Sequence, residues 1–372
     1  MKYRIPFILP SFPKPQDIAD DVAAIISSNW YTNFGPYEKK LRSGIAEYTG
    51  QYIDVCTTSN ATAALDIAVK ALFGNDSNRK QVIIPAFTFA AGGNVLLMNN
   101  LEPVFIDINN DWQPDISQAR EYIENNSNRV AGILLCNIFG VGNQQVKEWE
   151  ELCVANDIPL IIDSAAGFGS EYFNGEKLGA RGDCEIFSLH ATKPFAVGEG
   201  GAITSKNTEL ISRCRSLTNF GFDAERKVSM LGTNAKLNEI SCSIGVRQLV
   251  NLENRIKNRR KSYWMYRESL EPMGFEFQQN SDISTVAFVS VLASSAERAS
   301  SLLAKLTENG VEAKQYYDPL NRQPLFQGYI NGPHSLRITN DVADRIICLP
   351  LHDNMSEGTI REIVSIIDNT YS

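Results

Sequence analysis

The chain of 372 residues has only three histidines. None stands with cysteines or carboxylates at the spacing of a zinc site, so no metal is expected. Its seven cysteines, Cys56, Cys136, Cys153, Cys184, Cys214, Cys242 and Cys348, form an odd set with no CxxC pair, and most lie inside apolar runs. That pattern argues against a disulfide frame and for reduced, buried thiols in a cytoplasmic protein. No apolar stretch reaches the roughly 18 residues of a membrane span. Prolines break the apolar part of the N-terminal MKYRIPFILPSFPKP, which makes it a poor signal peptide. Positive charge is also scarce. A net charge of −8 offers no general surface for nucleic acid, because neutralising phosphates needs a basic face. Two nucleotide fingerprints are missing as well: no GxGxxG follows the first apolar run, and no GxxxxGK[ST] occurs.

What is present is ordinary globular material, 43% hydrophobic and 21% charged, in a chain too long for one core of about 100–200 residues. Seven short apolar, β-branched runs, at 53–56, 81–85, 103–108, 130–137, 159–163, 185–190 and 202–205, alternate with helical patterns such as the alanine-rich 61–72. Strands that read as continuous Val/Ile/Leu are buried on both faces, and this spacing suits βαβ crossovers. Ahead of them, Ile18, Val22, Ile25 and Ile26 fall on one face of a first helix. A second helix opens at Gly35-Pro36 and carries Tyr37, Leu41, Ile45 and Tyr48. One long helix is expected from near Leu237 toward Leu270, then a strand at 285–292 and helices at 296–309 and 356–368. The fold class is therefore α/β: a large domain over residues 1–250, with a mainly parallel seven-stranded sheet flanked by helices, and a smaller C-terminal α+β domain over 251–372.

Four segments could carry chemistry. Lys193 lies in EIFSLHATKPFAVGEGGAITS, just past a strand end and before a glycine turn, where open α/β sheets place ligands. A lysine that forms a Schiff base must be deprotonated, which desolvation promotes; taken alone, a surface lysine is the commoner case. Asp163 ends the buried run PLIID, either as a helix cap or as a functional charge. TTSNATAAL runs from a strand into a helix start, where free N–H groups attract anions. Asn60 and Thr62 add side-chain donors there, although Ser59 or Asn60 as a simple cap explains the local sequence equally well. PAFTFAAGGN sets Phe87 and Phe89 after another strand, either as core or as a platform for a flat ring.

In order and spacing these features resemble the DegT/StrS family of nucleotide-sugar aminotransferases, and the resemblance extends over nearly the whole chain. It includes WYTNFGPYEKKL, SNATAAL, PAFTFAAGGN, NIFGVGN, IIDSAAGFGS, FSLHATKPFAVGEGGAI, GTNAKLNEISCSIGVRQL, QYYDPLNRQPLF and ICLPLH. The resemblance implies a fold-type I enzyme that uses pyridoxal 5'-phosphate, with pyridoxamine 5'-phosphate as its aminated form, and acts as a homodimer with shared active sites. L-glutamate is the implied donor, and a keto or aldehyde carbon of a nucleotide-linked sugar the acceptor. Residue by residue, Lys193 would hold the cofactor covalently, Asp163 would pair with the pyridine nitrogen, and Phe89 would stack on the ring. Asn60, Ala61, Thr62 and Ser188 would meet the cofactor phosphate, joined by Asn234 from the partner subunit. One position departs from the family pattern: Ala166 stands where Gln or His is usual. The retained lysine disfavours the related sugar dehydratases, which carry histidine there, and no attached module supports a cofactor-binding regulator without turnover. Lys236, Lys314, Arg322 and Arg337 are candidate cations for the sugar diphosphate, and RIKNRRK at 255–261 reads as a solvated helix face.

Overall fold

The computed structural model describes residues 3–73, 78–353 and 355–371. Eleven strands occur among them: β1 (Asp54–Thr58), β2 (Gln81–Pro85), β3 (Glu102–Ile106), β4 (Val130–Cys136), β5 (Leu160–Asp163), β6 (Cys184–Ser188), β7 (Gly201–Ser205), β8 (Glu276–Phe277), β9 (Val289–Leu292), β10 (Ile330–Asn331) and β11 (Ile346–Leu349). The helices are α1 (Pro15–Ser28), α2 (Pro36–Thr49), α3 (Ala61–Leu72), α4 (Ala90–Met98), α5 (Ile116–Asn126), α6 (Val146–Asn156), α7 (Thr208–Thr218), α8 (Glu239–Val250), α9 (Leu252–Leu270), α10 (Ala296–Glu308), α11 (Arg337–Arg345) and α12 (Glu357–Tyr371).

The large sheet has the order β1-β7-β6-β5-β4-β2-β3-β10, and only β7 runs against the others. Apart from the exposed edge strand β10, its strands are buried on both faces, as their unbroken apolar runs require. Side chains alternate between the faces. Ile133, Leu135, Leu160, Ile162 and Phe187 meet Leu41 of α2, Tyr122 of α5 and Trp149 of α6 on one side. Leu134, Ile161, Ile186 and Ile203 meet α3, α4 and α7 on the other. Each fully buried aliphatic side chain contributes about 1.5–3 kcal/mol to this three-layer core.

The sheet has eight strands, not the seven expected, because Ile330–Asn331 from the C-terminal part adds a parallel edge to β3. Two residues are too few to give a periodic signal. The long helix expected from 237 to 270 is two helices, broken at Asn251 (φ −113, ψ 12). The proposed division at residue 250 falls at this break. Segments from both sides cross it, among them β10, Leu320 and Phe326 in the core of the large sheet, and Ile5, which bridges to Val311. In α1 only Ile25 of the expected apolar face is fully buried, and Ile26 is 56% exposed. The C-terminal part carries the antiparallel sheet β11-β9-β8, packed against α9, α10 and α12. No helix among the described residues is long and apolar enough to cross a membrane.

Candidate active site

Strand register decides which side chains are neighbours at the carboxyl edge of the large sheet. Thr58 ends β1 and pairs with Gly201, the first residue of β7, which pairs with Ser188 at the end of β6. Ile186 pairs with Asp163 at the end of β5, and Asp163 with Cys136 at the end of β4. Neighbouring strands lie about 4.8 Å apart, so Ser188, Asp163 and Cys136 share one short strip. Ile161 and Ile186 face α3. Asp163 and Ser188, each two residues further on, face the same way.

Helix α3 starts at this strip. Asn60 is extended, and its Oδ1 accepts the Ala63 N–H at 2.8 Å, so its side chain serves as the helix cap. The N–H groups of Ala61 and Thr62 have no partner among the described residues and stay available to an anion at the positive end of the helix. A Cβ on Gly201 would stand 2.6 Å from the Asn60 backbone. Only glycine lets β7 come this close to the start of α3.

After Ser188 the chain folds back on itself. Leu189 N–H donates to the Gly200 carbonyl, and Ala191 N–H to that of Gly198, both at 2.8 Å, with Gly198 at φ +99. Lys193 sits at the tip, its own N–H donating to the His190 carbonyl at 2.8 Å. Below it, Phe195 is fully buried and stacks on Phe168 at 4.5 Å. Burial pushes the Lys193 amine below the ordinary lysine range, and the charge of Asp163 only partly offsets this. Burial likewise pushes the Asp163 carboxyl up, against the Ala165 N–H that it accepts at 2.9 Å and the nearby Lys193 charge. The two groups form no ion pair within 4.0 Å, so both shift toward their neutral forms. Two groups of opposite character are held close together, unpaired and poorly solvated.

The strand ends themselves are braced from the opposite face. Glu185, fully buried, accepts from Ser164 Oγ at 2.7 Å, Tyr172 Oη at 3.1 Å and the N–H groups of Gly179 and Arg181 at 2.8 and 3.1 Å. Asn137 donates its Nδ2 to Ser164 Oγ at 2.8 Å and its N–H to the Asp163 carbonyl at 2.9 Å. The backbone on both sides of the Asp163 side chain is thereby fixed.

Phe89 is 61% exposed and caps α4 without packing into the core, unlike its fully buried neighbour Phe87. Its ring is therefore free to cover a ligand. Truncation should leave stability within about 0.5 kcal/mol, the usual range for an exposed side chain. Phe89→Ala is expected to weaken binding of a flat aromatic cofactor by roughly threefold to tenfold, read by absorbance titration. Equal binding by the variant would return Phe89 to the role of a surface residue. Asn234 has an exposed side chain, and the next residue, Ala235, accepts the Ser59 N–H at 2.7 Å. Ala166 is buried; its carbonyl accepts Thr285 Oγ1 at 3.1 Å, and a Cβ on Gly140 would lie 2.4 Å from it. Among the candidate cations, Arg322 is paired with Asp344 at 2.6 Å, Lys314 with Glu312 at 3.4 Å, and Lys236 donates to Asn219 at 2.9 Å.

The sequence reading did not single out three neighbours of this pair. Cys136 Sγ accepts from Thr88 Oγ1 at 3.2 Å, and burial raises its thiol well above the usual range. Tyr317 stacks on Phe139 at 5.2 Å, and burial, with the nearby Asp163 charge, pushes its hydroxyl well up. Thr88 and Tyr317 lie inside the quoted segments PAFTF and QYYDP, but no spacing rule joins residue 317 to residue 136.

Residues 14–368 match the DegT/DnrJ/EryC1/StrS aminotransferase family. Protein Rv3402c of Mycobacterium tuberculosis is 43% identical over 98% of this chain and 89% of its own length. A dTDP-4-amino-4,6-dideoxy-D-glucose transaminase of Shigella dysenteriae is 28% identical, covering 96% of both chains. The crystal structure of a PLP-dependent aminotransferase from Bacillus cereus ATCC 10987, 30% identical, superposes with a TM-score of 0.91 over 98% of this chain and 99% of that one. The chain belongs to the DegT/DnrJ/EryC1/StrS aminotransferase family.

Proposed function

We propose that this aminotransferase moves an amino group from L-glutamate to a keto or aldehyde carbon of a nucleotide-linked sugar, at the site built around Lys193 and Asp163. The observation that carries the reading is that pair: a carboxyl at the end of β5 and an amine in the loop beyond β6, both driven toward neutrality by burial and not bonded to each other. The residues fit pyridoxal 5'-phosphate. The free N–H groups of Ala61 and Thr62, together with Ser188, suit its phosphate, and the exposed Phe89 suits its ring. Asp163 suits its ring nitrogen. When bound, the cofactor supplies an electron sink that acidifies the carbon bearing the amine.

Lys193 would hold the cofactor covalently and would accept and return the proton at the reacting carbon, a role favoured by burial, which lowers its pKa below the ordinary lysine range. Asp163 would hold positive charge at the ring nitrogen. Tyr317 and Phe139 wall the site and keep water from it. Asn234 would reach the phosphate from a second copy of the chain. In favour of this, Val228 and Leu231 of the same loop are 68% and 84% exposed, and Trp30, Tyr31 and Phe220 are each about half exposed, an apolar display typical of a subunit contact. The seven free, buried cysteines suit a reducing cytoplasm. The relatives' names, dTDP-amino-sugar transaminases among them, support a nucleotide-linked sugar as acceptor.

The test supplies the purified protein with pyridoxal 5'-phosphate, 15N-labelled L-glutamate and a panel of nucleotide-linked keto-hexoses. Release of 2-oxoglutarate with 15N in one sugar is expected. Cofactor binding with no 2-oxoglutarate would remove glutamate as donor. 2-Oxoglutarate without a labelled sugar would remove the acceptor class.

A further inference from the structure

The basic run 255–261 is only in part the solvated helix face its composition suggests: Lys257 and Lys261 are exposed, but its arginines turn inward. Arg259 keeps only 6% of its side chain exposed, and Arg255 13%. Their donors point at carbonyls. Arg255 Nη2 donates to the Pro194 carbonyl at 2.6 Å, one residue past Lys193. Its Nη1 donates to Gln248 Oε1. Gln248, 4% exposed at the end of α8, donates its Nε2 to the Ala196 carbonyl at 3.1 Å and to the Ser11 carbonyl at 2.6 Å. No backbone N–H among the described residues reaches either loop carbonyl, and Pro194 has no N–H of its own to tie the loop down. The two side chains are therefore what satisfies these two carbonyls.

Behind them the contacts continue into the C-terminal part. Arg255 Nε faces Asp353 Oδ2 at 3.7 Å, and Asp353 Oδ1 accepts Arg259 Nη1 at 2.7 Å. Arg259 spends its other donors on the carbonyls of Val286, Ala287 and Leu351 at 2.9, 2.8 and 3.0 Å. Val286 and Ala287 lead into β9, and Leu351 follows β11. Charge-assisted hydrogen bonds on either side, joined by the 3.7 Å Arg255–Asp353 ion pair, thus connect the antiparallel sheet to the lysine loop. The charge of Arg255 is engaged by Asp353 and by carbonyls, so it acts on the loop through geometry.

We propose that Gln248 and Arg255 are positioning residues for Lys193, a clamp that ties the loop carrying the lysine to the C-terminal sheet through Asp353 and Arg259. The proposal rests on Lys193 being the residue that holds the cofactor. Placement of that amine sets both cofactor attachment and the proton transfer, which tolerate little displacement.

The test compares the wild-type chain with Gln248→Ala, Arg255→Met and Arg255→Lys. Three readouts are taken: amide hydrogen exchange in cofactor-free protein, affinity for pyridoxal 5'-phosphate by absorbance, and the melting temperature. Arg255→Met is expected to speed exchange at residues 191–198 by about tenfold while β4 and β5 stay protected. It should weaken cofactor binding by about tenfold as well. Arg255→Lys keeps one donor for Pro194 and should recover part of both. Unchanged loop exchange in Arg255→Met and Gln248→Ala overturns the clamp. So does faster exchange spread over the whole fold with a matching fall in melting temperature, which marks a merely structural role. Normal covalent attachment in Lys193→Ala would instead overturn the lysine assignment, and the proposal with it, leaving the exchange result as the separate measure of the clamp.

Discussion

Replacing Lys193 by alanine is expected to abolish turnover, with any residual rate lower by at least about 10²–10⁴-fold, the share that one positioned acid–base group carries. Borohydride treatment of the loaded wild-type protein should leave the cofactor on a peptide containing Lys193, and the variant should show no such peptide. Substantial residual turnover would move the chemistry to another residue. The same amine makes a stability prediction. Burial lowers its pKa in the folded chain, so between the folded value and the unfolded value of about 10.4 the unfolded chain binds more protons. Stability of the cofactor-free protein therefore rises with pH through that window. Lys193→Met keeps the volume and removes the charge. It should melt above the wild type at neutral pH, with the gap closing as the pH approaches about 10.4. A melting temperature below the wild type at neutral pH would mean that the lysine contributes packing or bonds that outweigh its desolvation.

Asp163→Asn is expected to separate function from stability. The amide keeps the bond from the Ala165 N–H, now 2.9 Å long, but cannot hold positive charge on the cofactor ring. Turnover should fall by roughly 10²–10³-fold, the scale of one preorganised electrostatic contact, while the cofactor still binds. The folded carboxyl has a raised pKa, so its contribution to stability is complete below the unfolded value of about 3.9 and is lost as the pH rises through the folded value. At neutral pH the buried carboxylate is thus a cost. The cofactor-free variant should melt above the wild type near pH 7, and the difference should vanish as the pH falls toward about 4. Thermal melts of both proteins across that range check the sign. Undiminished turnover would reduce Asp163 to a backbone cap.

Both residues were legible because their surroundings are local. Asp163 closes an apolar run, and Lys193 lies between a strand and a glycine turn, so strand pattern and sheet-edge chemistry point to them together. The seven strands of the large sheet and helix α3 were legible for the same reason: unbroken Val/Ile/Leu runs and an alanine-rich stretch behind an Asn cap are signals a few residues long. Asn60 shows where such signals stop. Its sequence allowed either a cap or a phosphate ligand; the structure shows its side chain spent on the Ala63 N–H, with the two N–H groups after it left free. Phe89 also allowed two readings, and its 61% exposure excludes the core. The break at Asn251 and the edge strand at 330–331 left no pattern to read, since one residue and two residues carry no period.

The arginines of 255–261 mark the other limit. Composition says that a basic run is solvated, because burying a guanidinium without partners is costly. Here the partners, the carbonyls of Pro194, Val286, Ala287 and Leu351 and the carboxylate of Asp353, come from segments as far as 98 residues away, counting from Arg255 to Asp353. Cys136 beside Asp163, and Tyr317 across from both, are likewise a matter of strand order and of the C-terminal part folding onto the sheet edge. The sequence by itself determined the α/β class, the strand end that carries Asp163, the glycine turn that follows Lys193, and the family, because hydrophobic period and short motifs are local properties of the chain. Only the tertiary structure decided that the lysine and the carboxylate stand near each other without pairing, and which buried side chains hold the lysine's loop, because burial and hydrogen-bond partnership exist only between segments distant in sequence.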